Sequence, residues 1–207
     1  MTQMAKVTSL ILKQLRKAEW QHAVDREEDR IIIRSTLDLI DTECCDSVEL
    51  VFDVQEDDVL VVGIPRVTVR ECRRNAVALY LMDVDWSLRY GKVVVSRETG
   101  EVHFEHLIHS ASITANPTDA LMEVFATVSA VLERCLPPLF KMLTGVFTPQ
   151  EAFEDYKRSS VAPKEDDADS TGEVFCRHLT SDDYIRVPAG VYPLVGGTQG
   201  SPPNEPN

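Results

Sequence analysis

The order of apolar and polar residues predicts helices and strands in separate blocks along the first 158 positions. Near the N-terminus, apolar residues recur every three or four positions, at Val7, Leu10, Ile11, Leu15 and Ala18. This spacing is that of an amphipathic helix, which we expect to end near Trp20. Three strands are expected next, over 30–40, 49–54 and 59–64. Because 59–64 is continuously apolar, this strand is expected at the centre of a sheet with both faces buried.

A second helix and a hairpin are predicted after these strands. Thr68 and Glu71 have the spacing of a capping box, which indicates a helix N-terminus, and we expect the helix to stop near Asp83. Its expected buried stripe follows helical spacing: Val69, Cys72, Ala76, Leu79 and Tyr80. Strands over 87–97 and 101–110 then flank a tight turn, where Gly100 can adopt the left-handed conformation.

Two further helices are predicted from their first residues. Asn116 and Pro117 are typical of the N-cap and first position of a helix, and a long apolar stripe follows them. Thr148 and Glu151 repeat this arrangement as a capping box for a short helix that ends at about Arg158. The predicted order is helix, three strands, helix, two strands, long helix, short helix. Hairpin strands between blocks of helix predict an α+β fold with a largely antiparallel, five-stranded sheet.

A change in composition near Ser159 divides the chain into a domain, 1–158, and a C-terminal tail, 159–207. The tail contains six of the eleven prolines and five of the nine glycines, and its ends are too polar to offset the entropy of ordering. We therefore expect a flexible, disordered tail. Alternatively, the apolar residues between Val174 and Val195 form short extended pieces that dock on the domain or on a partner.

The charge of the chain narrows the classes of function. The 21 Lys and Arg residues are outnumbered by 34 Asp and Glu residues, which gives a net charge of −13. Eight acids and three bases lie in the tail, so −5 belongs to the tail and −8 to the domain. An acidic chain without a basic face is not expected to bind nucleic acid or an anionic membrane.

The cysteines and the apolar runs predict the compartment. No run approaches about 18 apolar residues, so no membrane-spanning segment is expected, and the N-terminus lacks the pattern of a secretory signal. The five cysteines are an odd number, which favours thiols in a reducing cytoplasm. We therefore expect a cytoplasmic protein.

Candidate chemistry is sparse. The chain contains no nucleophile elbow, phosphate-binding loop, dinucleotide fingerprint or zinc-protease motif, so we predict no catalytic residue, metal or cofactor. Glu101, His103 and Glu105 share one strand face, as metal ligands would, but the same alternation fits a solvent-exposed face opposite an apolar one, which we favour. His106 lies on the apolar face, where we expect it to pair with a backbone group.

Charged residues cluster at three further places without the spacing of a known site. The acidic runs 56–58 and 165–167 lack the alternating ligands and central glycine of a calcium loop, so we interpret them as a solvated turn and a linker. Arg70, Arg73 and Arg74 form a basic group on the second helix. This group is either an exposed face with local charge pairing or a site for an acidic partner segment or a phosphate.

The densest aromatic segment of the domain contains Trp86 and Tyr90, with Leu88 between them. We interpret it as the start of a strand, so the three side chains are expected on one face. They either anchor this strand in the core or form an exposed surface for a peptide or a second copy of the chain. The second interpretation makes Trp86, Leu88 and Tyr90 a candidate partner-binding or dimer surface.

Several of these segments together resemble the YbjN domain family. They are the strand pair LVFDVQEDDVLVVGIP, the helix and hairpin segment MDVDWSLRYGKVVVSRETGEVHF, and the later segments LPPL and GVFTPQEA. The resemblance extends over about 48–156. It implies a fold like that of type III secretion chaperones, which are small acidic cytosolic proteins that dimerise and hold extended partner segments.

The resemblance also bears on function. The family has been described as a sensory-transduction regulator, and it implies no catalytic residues. We therefore expect a non-enzymatic, chaperone-like or regulatory adaptor that binds a protein partner and forms a homodimer. The alternative is a sensory or regulatory domain that binds a small ligand or a metal, and an enzyme without a recognisable motif is the third hypothesis.

Overall fold

The computed structural model describes residues 2–39 and 44–159 in full, together with the backbone of 173–175 and 186–188. In chain order the elements are α1 (Gln3–Lys17), β1 (His22–Arg26), β2 (Ile31–Asp38), β3 (Ser47–Val54), β4 (Asp58–Pro65), α2 (Glu71–Ser87), β5 (Lys92–Val95), β6 (Val102–His109), α3 (Ser110–Ala115), α4 (Pro117–Leu143), α5 (Pro149–Arg158), β7 (Glu173–Phe175) and β8 (Arg186–Pro188). The first six strands form one antiparallel sheet in the order β1-β2-β3-β4-β6-β5. The predicted α+β class is confirmed, with six strands in this sheet rather than five.

The hydrophobic core lies between one face of this sheet and the helices. Alternate residues of β3 point into it and are fully buried: Val48, Leu50, Phe52 and Val54. The register places Phe52 opposite Val61 of β4, so that inward-facing residues of neighbouring strands meet. Gly63 of β4 lies under α4, where a Cβ atom would be 2.8 Å from Cγ1 of Val128. The absence of a side chain at Gly63 therefore lets α4 pack close to the sheet.

Two elements were not predicted. β1 contains only two apolar residues, yet it pairs with β2 from His22 opposite Ser35 to Arg26 opposite Ile31. α3 is a helix of six residues directly after β6, and it contacts α1 and α4. Elements this short have no clear hydrophobic period, so their pairing with neighbours decides them.

The prediction that β4 would be buried on both faces is wrong. Val59 and Val61 are fully buried, whereas the alternate residues Leu60, Val62 and Ile64 are half-buried on the face opposite the core. β4 is central in the sheet, as predicted. It has an apolar residue at each position of its outer face from 60 to 64, where an antiparallel sheet with one open face usually has polar residues.

The boundaries of α2 differ from those predicted. Thr68 does not cap the helix, because it forms an isolated bridge with Glu101. The N-cap is Arg70, which makes no side-chain capping bond. The helix continues to Ser87, and β5 begins only at Lys92. The segment from 87 to 91 is therefore the end of a helix and a loop, and the predicted strand starts five residues late.

The core-facing side of α2 also differs from the predicted stripe. Its buried residues are Val77, Tyr80, Leu81 and Val84. Tyr80 was predicted correctly, and Val69 is buried but precedes the helix, whereas Cys72 and Leu79 are exposed and Ala76 is half-buried. The Tyr80 hydroxyl donates a hydrogen bond of 2.9 Å to the backbone oxygen of Cys135 in α4. This buried contact links the core-facing side of α2 to α4.

The predicted caps of the later helices and the hairpin turn are confirmed. The Asn116 side chain accepts a hydrogen bond from the backbone N–H of Asp119, and Thr148 and Glu151 make both bonds of a capping box. Gly100 has a φ of 78°, in the left-handed region that the turn requires. These features depend on residues within a few positions of each other, which is why the sequence pattern predicts them.

The predicted tail lies mostly outside the described residues. Within it, β7 and β8 pair antiparallel, with Glu173 opposite Pro188 and Phe175 opposite Arg186. Short extended pieces were predicted in this part of the tail, and these two strands are such pieces. The predicted disorder and the predicted docking concern residues that are outside the described part of the chain.

Candidate partner-binding surface

α2 carries a row of large apolar side chains on the face opposite the core. Leu79 is 55% exposed, Met82 is 51% exposed and Trp86 is 86% exposed. Their spacing of three and four residues places them on one side of the helix. Tyr90, in the loop after the helix, is also exposed. We call Leu79, Met82, Trp86 and Tyr90 the α2 surface.

The predicted site residues are not on one strand face. Trp86 lies in the last turn of α2, Leu88 is the residue at its C-terminal cap, and Tyr90 lies in the loop before β5. Leu88 is half-buried and packs against the core, whereas Trp86 and Tyr90 are exposed. Helical structure up to Ser87 is the reason for this difference, since strand alternation does not apply there.

The Tyr90 side chain is held by contacts with neighbouring rings and with one guanidinium group. Its ring meets His106 edge-on, with the centroids 6.3 Å apart, and His106 stacks on Phe104 at the same distance. The guanidinium of Arg89 lies 5.2 Å from the centroid of the Tyr90 ring. Gly91 has a φ of 74°, and a Cβ atom there would clash with the ring of Phe104. The loop therefore packs tightly on β6 and limits the positions open to Tyr90.

Burial shifts the pKa of three groups in or beside α2 and the loop that follows it: His106, Cys135 and Tyr80. The buried Nδ1 atom of His106 has no hydrogen-bond partner, so the predicted pairing with a backbone group is not observed at that atom. Burial lowers the pKa of His106, against a smaller opposing effect of Glu123. Burial also raises the pKa of the Cys135 thiol to about 12 and raises the pKa of Tyr80. Neither group provides a ready nucleophile at neutral pH.

The residues considered as metal ligands, Glu101 directly before β6 and His103 and Glu105 on it, take part in hydrogen bonds and ion pairs. His103 Nε2 lies 2.9 Å from one oxygen of Glu105, and Lys92 Nζ lies 2.8 Å from the other. Partial burial acts to raise the pKa of Glu105, but the hydrogen bonds from Lys92 and His103 outweigh it and lower the pKa. Glu101 accepts a hydrogen bond from Thr99. Within the described part of the chain, no group of three His, Cys, Asp or Glu residues could hold a metal ion.

The three arginines of α2 do not act as one group. Arg74 donates hydrogen bonds to the backbone oxygens of Val69 and Arg97, and so ties the start of α2 to the β5–β6 hairpin. Arg73 lines a cavity of about 280 Å³ between α2 and the connection from α4 to α5. Its wall also contains the acidic Glu151 and apolar residues such as Val77, Met142 and Phe147. The cavity is at the lower limit of the size of small-molecule sites.

Leu79 and Met82 were missed because α2 is apolar on two opposite faces. Residues 77, 80, 81 and 84 have helical spacing, and so do residues 72, 76, 79, 82 and 86. Only one of these faces can meet the core. A helix with two apolar faces is the sequence signal that would have indicated a second contact surface.

Comparisons with known proteins identify no family. No protein-family model matches the chain, and no curated protein matches it. The resemblance to the YbjN family therefore stays a prediction. Among the described residues, no helix is both long and apolar enough to cross a bilayer. The fold and the α2 surface together define an α+β protein with an exposed apolar helix face.

Proposed function

We propose that the protein is a non-enzymatic, chaperone-like or regulatory adaptor that binds a partner polypeptide through the α2 surface. The observation that carries this proposal is the exposure of Trp86 in one row with Leu79 and Met82. Single exposed apolar residues are common on proteins, but a contiguous group of large ones marks an interaction site. Tryptophan is also among the residues that contribute most to binding at interfaces.

We further propose that the adaptor is cytoplasmic and forms a homodimer. The acidic composition and the odd number of cysteines support the compartment. Cys72 and Cys135 are free thiols and not part of a disulfide bond. The homodimer rests on the resemblance to the YbjN family, and light scattering over a range of protein concentrations tests it. A strict monomer would contradict this part of the proposal.

The binding role is tested by substituting the α2 surface in the full chain. Trp86→Ser is expected to lower capture of partner polypeptides from a lysate at least tenfold, since removal of an aromatic anchor commonly costs about 2 kcal/mol or more. Leu107→Ser is the matched control, because Leu107 is 58% exposed on the outer face of β6, away from α2. Equal capture by the two variants, or no capture by the original chain, would contradict the proposal.

A regulatory domain that binds a small ligand is the second candidate. It is favoured by the cavity beside Arg73, which is lined by this cationic side chain, the acidic Glu151 and several apolar residues. A thermal-shift screen of organic anions tests this candidate. An anion that stabilises the original chain but not Arg73→Gln supports it, and a screen in which no anion raises the melting temperature counts against it.

A further inference from the structure

We propose that segment 173–195 of the same chain covers the α2 surface when no partner is bound. The tail would then compete with the partner within one molecule. The inference rests on the proposed function for the identity of the surface as a binding site. The docking itself requires no partner and is tested separately.

The tail begins next to the α2 surface. The Ser87 hydroxyl donates a hydrogen bond of 3.3 Å to the Tyr156 hydroxyl, and Ser87 directly follows Trp86. Tyr156 is buried, and the guanidinium of Arg134 lies 4.5 Å from the centroid of its ring. The last turn of α5 is therefore fixed against the last turn of α2. Ser159, where the fully described chain ends, is only three residues further along.

The connection is long enough to reach all of the α2 surface. Thirteen residues, 160–172, separate Ser159 from β7. A chain of this length spans about 45 Å when extended and about 20 Å on average as a random coil. The 17 residues of α2 form a helix about 25 Å long. Tethering at this distance gives an effective concentration in the millimolar range, so even a millimolar dissociation constant leaves about half of the surface covered.

The segment has the composition that an apolar surface binds. It contains ten branched aliphatic or aromatic residues: Val174, Phe175, Leu179, Tyr184, Ile185, Val187, Val191, Tyr192, Leu194 and Val195. β7 and β8 pair with each other within it as a two-stranded ribbon of three residues each. An isolated ribbon of this size is at best marginally stable in water, so it needs a surface to pack on.

Charge favours the α2 surface over the outer face of the sheet. Residues 79–90, which include the α2 surface, contain two acidic residues and one arginine, a net charge of −1. Residues 47–65, which form β3, β4 and their turn, contain five acidic residues and no basic one. The tail from 160 to 195 contains seven acidic and three basic residues, a net charge of −4. Arg34 pairs with Glu49 and Arg30 pairs with Asp53, so two of the five negative charges at β3, β4 and their turn are compensated and three remain. The tail is therefore repelled less at the α2 surface than at β3 and β4.

Fluorescence quenching of Trp86 tests the docking in the full chain. In a Trp20→Phe background Trp86 is the single tryptophan, and acrylamide, a neutral quencher, reports its accessibility. We expect the quenching constant to be about threefold higher when Phe175→Ser and Tyr192→Ser are introduced into the tail. Val161→Ser, which lies outside the segment, is the matched control and is expected to change nothing. Equal quenching in all three proteins would overturn the inference.

Two further measurements keep the test decisive. If Trp20→Phe unfolds the chain, the rate of Met82 oxidation by hydrogen peroxide, mapped by mass spectrometry, replaces the quenching measurement. If Met82 is oxidised more slowly in the original chain than in the tail variant at every protein concentration, the tail is the occupant. If this protection of Met82 is lost on dilution, the occupant is a second copy and the inference is overturned. Partner capture separates the two proposals: if quenching is equal while Trp86→Ser still reduces capture, the docking fails and the proposed function stands.

Discussion

α2 and α4 contact each other in the core, yet they distribute their apolar residues in opposite ways. α4 places its stripe against the sheet and the neighbouring helices, with Val128, Leu132, Leu136 and Leu139 fully buried. α2 buries one apolar face and leaves a second, with Leu79, Met82 and Trp86, exposed. Apolar residues on a helix stabilise the fold only where another element covers them. The remaining apolar residues of α2 form the exposed α2 surface, which we propose as a binding site.

The two helices are expected to differ most in how much a leucine-to-alanine substitution lowers the free energy of unfolding. Leu132→Ala in α4 removes a fully buried side chain and is expected to lower the free energy of unfolding by about 2–5 kcal/mol. Leu79→Ala on the exposed face of α2 is expected to change it by no more than about 0.5 kcal/mol. Urea unfolding of the two full-length variants provides the measurement. Similar losses in both would mean that the two helix faces are equally covered.

The next effect concerns the close approach of α4 to the sheet. Gly63→Ala adds a methyl group 2.8 Å from Cγ1 of Val128, which we expect to cost about 1–3 kcal/mol in the free energy of unfolding. Val62→Ala, on the opposite face of the same strand, adds no atom on the α4 side. It is expected to change stability less than Gly63→Ala does. The reverse order in urea unfolding would show that α4 does not depend on the missing side chain.

A smaller loss of stability is expected when the hydrogen bond between Tyr80 of α2 and Cys135 of α4 is removed. Tyr80→Phe removes the hydrogen bond to Cys135 and is expected to cost about 1 kcal/mol in the free energy of unfolding. Tyr90→Phe is the matched control at an exposed tyrosine, and we expect it to be neutral. The measurement is again the urea midpoint. A neutral Tyr80→Phe would show that packing alone orients α2.

The pH dependence of the free energy of unfolding reports on His106, whose ring contacts Tyr90 of the α2 surface. Burial holds the pKa of His106 below its ordinary value of 6.5, so the unfolded chain takes up this proton at a higher pH than the folded chain. Stability is therefore lost as the pH falls below about 6.5. Urea midpoints at pH 7.5 and 5.5 measure this loss, and His106→Phe should reduce it. An unchanged pH dependence in the variant would mean that other groups cause it.

The sequence pattern predicted part of the candidate site. Trp86 and Tyr90 were singled out because aromatic residues cluster there, but their placement on a strand with Leu88 was wrong. Local spacing could not reveal that α2 continues to Ser87. The face of α2 that meets the core packs on residues distant in sequence, such as Cys135, which is 55 residues from its partner Tyr80. Leu79 was consequently assigned to the core.

Local patterns in the sequence were enough to predict the elements whose signals are local. The cap at Asn116, the capping box of Thr148 with Glu151 and the turn at Gly100 each involve residues a few positions apart, and each is present in the fold. The tertiary structure decided the pairing of β1, the one-sided burial of β4 and the exposed face of α2. Burial depends on elements that are distant in sequence, and a pattern with two apolar faces does not show which face they will cover.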